Sequence, residues 1–117
     1  MKMLVVLNDP PYGSERTYNA LRLAGNLGRR DGDLEITVFL MGDAVLAAKR
    51  GQTTPDGYYN VERMLRGVGV KGGRVLVCGT CIDTRGLGLE DLSEGVERSS
   101  MDELGDLVLG AERLVWV

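Results

Sequence analysis

Histidine is absent from the 117 residues. With it go the commonest general base, the Ser-His-Asp and Cys-His arrangements and most zinc sites. Only 2 cysteines occur, spaced C-x-x-C, so the distant disulfide framework of small secreted domains is excluded. Long apolar runs are missing too. The first, Leu4 to Leu7, is too short for a signal h-region or a spanning helix, and it reads as the opening strand of a cytoplasmic protein. A basic excess is also lacking: the net charge of -3 argues against a nucleic-acid footprint and against a membrane surface. Proline is scarce, 3 against 17 glycines, which points to tight turns rather than disorder.

What is present is an ordinary globular balance, 44% hydrophobic and 26% charged. Residues 1–117 are expected to form a single domain that buries a core without metals or disulfides. Met3 to Leu7 is a continuous apolar run of the kind found in strands covered on both faces. Asn8 to Ser14 then forms a turn, with Ser14 as N-cap for an amphipathic helix over Glu15 to Leu27. A second strand is expected over Leu34 to Met41, a short helix over Ala44 to Lys49, and a third helix marked by Val61, Met64, Leu65 and Val68. Gly72-Gly73 turns the chain into a third strand, Arg74 to Val77. Further on, a short helix is placed at Leu89 to Leu92 and a short strand near Val96. Ser99 or Ser100 with Glu103 suggests a capping box for the helix Met101 to Leu109, and Leu114 to Val117 reads as the last strand.

Strands alternating with helices imply right-handed crossovers. The expected fold is a three-layer α/β/α sandwich around a mainly parallel sheet of about five strands. Ligands in such folds bind outside the carboxyl ends of the strands, here Asn8 to Ser14, Met41 to Asp43 and Cys78 to Arg85.

Both cysteines lie on the third of these segments, where a strand gives way to a helix. Unpaired N–H groups and the positive end of the helix dipole lower a thiol's pKa there, and the thiolate is the nucleophile. Gly79 and Thr80 stand between Cys78 and Cys81 as binding positions, and Arg85 adds positive charge one turn on. Cys81, nearer the helix start, is on these grounds a candidate for the more acidic thiol, while Cys78 also continues the apolar strand and is readable as core. In the first segment Asn8, Tyr12 and Gly13 line the loop as hydrogen-bonding positions, and Ser14 with its helix N-terminus is an anion seat, although plain turn chemistry accounts for the same residues. Asp43 reads better as an N-cap than as a pocket carboxylate. With no histidine or third cysteine, a zinc site would need a second subunit or Asp83, so neither metal nor cofactor is expected. Gly67-Val-Gly69-Val-Lys-Gly-Gly contains G-x-G-x-x-G, yet it follows a helix and precedes a strand, so it reads as a helix stop and turn.

These segments resemble the DsrE/DsrF-like (YchN-like) family over nearly the whole length. The likeness rests on Asn8-Asp9 with Tyr12-Gly-Ser-Glu-Arg16, on Phe39-Leu-Met-Gly-Asp43, on Val77-Cys-Gly-Thr-Cys-Ile-Asp-Thr-Arg-Gly86, and on Ser100-Met-Asp-Glu-Leu104. The resemblance implies a small α/β protein that assembles as a homotrimer or homohexamer and works in sulfur relay between donor and acceptor proteins. By it, Cys78 takes the position that carries sulfur as a persulfide. Cys81 departs from carriers with one cysteine there, since a neighbouring thiol can attack that persulfide, release sulfide and leave a disulfide. A thiol-disulfide oxidoreductase or redox switch, and a noncatalytic assembly subunit, are the alternatives.

Overall fold

The computed structural model describes all of residues 1–117. Five strands form one parallel sheet: β1 (Lys2–Leu7), β2 (Glu35–Leu40), β3 (Arg74–Cys78), β4 (Glu97–Ser99) and β5 (Arg113–Trp116), in the order β4-β3-β2-β1-β5. The helices are α1 (Arg16–Arg30), α2 (Val61–Val70), α3 (Gly79–Thr84) and α4 (Met101–Gly110), with a 3-10 segment over Gly42–Ala48. The expected α/β sandwich is present.

Alternation along the strands sends side chains to two unequal cores. Met3, Val5, Leu7, Val38, Leu40, Val75 and Val77 face Ala20, Leu21 and Ala24 of α1, Val61 and Leu65 of α2, and the alanines of the 3-10 segment. Each such aliphatic side chain contributes roughly 1.5–3 kcal/mol on burial, so this layer supplies most of the fold's stability. Leu4, Val6, Phe39, Leu76 and Cys78 point the other way, where α4 covers them through Leu104. Val108, Leu109, Leu114 and Trp116 on that side are left exposed.

Local chemistry explains where the elements differ from expectation. Helix α1 begins after Glu15, which occupies the N-cap position without a side-chain cap. Ser14 sits one residue earlier, its Oγ 3.4 Å from both Asp9 Oδ2 and the Arg16 N–H. Helix α2 runs through Gly67 and Gly69 to Val70, and the turn comes at Gly72, whose φ of +85° suits glycine. Val68, between the two glycines, packs against the larger core. The capping pair is Ser100 with the Glu103 N–H at 3.2 Å, while the Glu103 carboxylate accepts from the Ser99 hydroxyl instead of completing the box.

Candidate functional site

Parallel strands place the loops after β1, β2 and β3 on one edge of the sheet, and the cysteines sit at the end of β3 on that edge. Cys78 is the last residue of β3 and the N-cap position of α3. Its side chain belongs to the smaller core and is 9% exposed. Cys81 lies one turn into α3, half-buried, and touches both cores. Both thiols are free.

Hydrogen bonds divide the two sulfurs. Cys78 Sγ lies 3.3 Å from Thr80 Oγ1. Burial works to raise the Cys78 pKa, but hydrogen bonds from the Cys81 thiol, the Thr80 hydroxyl and the N–H groups of both residues offset it and leave Cys78 below an ordinary thiol. Cys81 moves the opposite way: burial first, and then its role as donor to Cys78, push it up, while the Gly42 N–H and Arg85 only partly oppose this. Proximity to the helix start favours Cys81 as the more acidic thiol, whereas burial and its hydrogen bond to Cys78 work in the opposite direction. Cys81 keeps its proton and acts as a donor towards Cys78, whose sulfur also has the Thr80 hydroxyl at 3.3 Å.

Arg85 and Asp43 are both at this site, in roles other than those expected. Arg85 Nε and Nη2 donate to Asp43 Oδ1 at 3.1 and 2.8 Å, and Nη1 donates to the Cys81 carbonyl at 3.0 Å. Asp43 is thus no N-cap: Met41 holds that position, and Asp43 uses its carboxylate to anchor the far end of α3. Arg85 acts on Cys81 rather than on Cys78. Gly42, between Met41 and Asp43, donates its N–H to Cys81 Sγ at 3.2 Å. Its φ of +58° suits glycine, and a Cβ there would sit 3.5 Å from the Asn8 carbonyl.

The first loop adjoins this cluster by its backbone alone. The Asn8 side chain donates to the Val117 carbonyl at 3.0 Å and fastens β1 to β5. Tyr12 donates to Gln52, Gly13 takes a φ of +102°, and Ser14 is engaged with Asp9. These four residues shape the loop, and their side chains make no hydrogen bond to the cysteines.

Asp83, considered above only as a possible metal ligand, pairs instead with Arg98, a residue that the sequence does not single out. Arg98 Nη1 and Nη2 donate to the two carboxylate oxygens of Asp83, both at 2.8 Å. No local pattern announces this pair, because it joins α3 to an edge strand of three residues.

The sequence profile of the DsrE/DsrF-like family matches residues 1–117. Protein YchN of Escherichia coli is 40% identical over 114 residues, 97% of each chain. The uncharacterized protein MK0008 of Methanopyrus kandleri is 38% identical over 112 residues, 96% of this chain and 90% of that one. The crystal structure of the E. coli ychN protein superposes with a TM-score of 0.93 at 39% identity, covering 99% of this chain and 98% of the other. Protein MTH1491 of Methanobacterium thermoautotrophicum, at 16% identity and a TM-score of 0.78, shares the fold.

Proposed function

The chain belongs to the DsrE/DsrF-like family, and we propose that it is a sulfur-relay protein that carries sulfane sulfur on Cys78 and passes it to a partner. The observation that carries this reading is the placement of Cys78 where β3 passes into α3, with the Thr80 hydroxyl 3.3 Å from its sulfur. The Cys78 thiolate attacks the terminal sulfur of a donor persulfide. The donor's S–S bond breaks, the donor leaves as a thiolate, and Cys78 keeps the outer sulfur as its own persulfide. An acceptor thiolate then takes that sulfur, and Cys78 departs as the same stabilised thiolate, since a low leaving-group pKa speeds exchange.

The alternative is a redox pair, in which Cys81 attacks the inner sulfur of the Cys78 persulfide, releases sulfide and leaves a disulfide. The raised Cys81 pKa slows that attack at neutral pH, which favours relay. Free thiols in this pairing fit a reducing cytoplasm. No helix is long and apolar enough to cross a membrane. Partners in this reading are a donor protein, an acceptor protein and further copies of this chain, as a homotrimer or homohexamer. The exposed Leu109, Leu114 and Trp116 beside α4 give that assembly an apolar surface.

Intact-mass spectrometry of the reduced protein after exposure to polysulfide tests the reading. We expect a sulfur adduct that survives Cys81→Ser and vanishes with Cys78→Ser. Loss of two protons without added sulfur, abolished by either change, would mean a redox pair.

A further inference from the structure

Helix α3 is 6 residues long and has no side-chain cap. A helix that short has no stability of its own, so the donors it brings to Cys78 depend on what fastens it. One tether is Arg85 to Asp43, which joins its end to the 3-10 segment. The other comes from β4, where Arg98 stands beside Val77 in register. Its guanidinium passes over Gly79 to both oxygens of Asp83. A Cβ on Gly79 would lie 2.7 Å from Arg98 Cζ and Nε and 2.8 Å from Nη2. Glycine leaves the room that the planar group occupies, and any Cβ there would displace the guanidinium. Such a flat bidentate fork is geometry that lysine cannot supply.

We infer that Arg98 is a positioning residue for the Cys78 thiol: laid over Gly79 and locked to Asp83, it ties both ends of α3 to β4 and keeps the Thr80 hydroxyl on the Cys78 sulfur. The inference rests on Cys78 being the reactive thiol. The groups acting on Cys78 are the Cys81 thiol, the Thr80 hydroxyl and their N–H groups from α3, with Arg98 from β4. A purely coulombic role for Arg98 makes a different prediction from a clamp. Removing the Asp83 charge would leave Arg98 less neutralised and make Cys78 more acidic by charge alone. By loss of the clamp it makes Cys78 less acidic.

The test is the pH profile of Cys78 alkylation by iodoacetamide, followed at the Cys78 peptide by mass spectrometry. Wild type is compared with Arg98→Lys, Arg98→Gln, Asp83→Asn and Gly79→Ala, the last displacing the guanidinium without removing a charge. All four should move half-maximal labelling to higher pH and slow labelling at neutral pH by about threefold or more, a tenfold change corresponding to one pKa unit. Faster labelling in Asp83→Asn, an unchanged profile in Arg98→Lys, or wild-type profiles throughout would overturn the clamp. Polysulfide loading of wild type is read in parallel. Shifted profiles without wild-type loading would sink the relay and leave the clamp standing, whereas loading with coincident profiles would do the reverse.

Discussion

Two thiols on one short helix are driven apart in acidity by a handful of donors. Because Cys78 is lowered, its thiolate forms as pH rises through a value below that of an ordinary thiol, and its reactivity appears there. Cys81 is raised and follows at higher pH. Peptide-resolved alkylation should therefore show Cys78 reaching half-maximal labelling at the lower pH of the two. Thr80→Ala removes the exposed hydroxyl 3.3 Å from Cys78 Sγ. It should slow Cys78 labelling at neutral pH by about twofold to fivefold and leave the thermal midpoint unchanged. The cysteines, Arg85 and Asp43 were legible as a group because strand ends and their loops follow one another in sequence. Their roles were not, since an arginine's partner is set by reach across the fold. Arg98 was invisible for the same reason, lying 15 positions from Asp83 on another element.

Apolar runs made the strands β1, β2, β3 and β5 readable; the first three are buried, whereas β5 keeps Leu114 and Trp116 exposed. Strand β4 was placed near Val96 but spans Glu97–Ser99, three polar residues held by pairing to β3 and by two ion pairs, Arg74–Glu97 and Arg98–Asp83. Gly67 and Gly69 look like a stop in the sequence, yet helix α2 continues through both to Val70. Its start is secured by Asn60, whose side chain accepts the Arg63 N–H at 3.0 Å, and its buried residues prolong it beyond what propensity alone allows. Those two glycines sit in helical backbone with open space where a Cβ would go. Gly67→Ala and Gly69→Ala should each stabilise the protein by about 0.5–1 kcal/mol, measured as an increased midpoint in urea denaturation.

The two layers of the sandwich are covered unequally. The larger core lies beneath α1, α2 and the 3-10 segment, while α4 alone crosses the second face and leaves Leu109 88% and Trp116 57% exposed. No periodicity discloses this, because α4 and β5 have sequences suited to burial whether the cover is this chain or another copy. If assembly buries that face, Trp116→Glu or Leu109→Glu should yield monomers in sedimentation velocity with the near-native circular dichroism retained. A wild-type monomer would contradict the assembly reading. The strand order also fixes when the sheet can be finished during synthesis. The first strand made, β1, pairs on one side with β2 and on the other with β5, the last strand made, and Asn8 closes that seam onto Val117 across 109 positions. Until β5 has emerged from the ribosome, the nascent chain carries an unpaired parallel edge in the middle of its future sheet. Such an edge invites other chains to pair with it, so the growing chain is exposed to aggregation until β5 docks against β1.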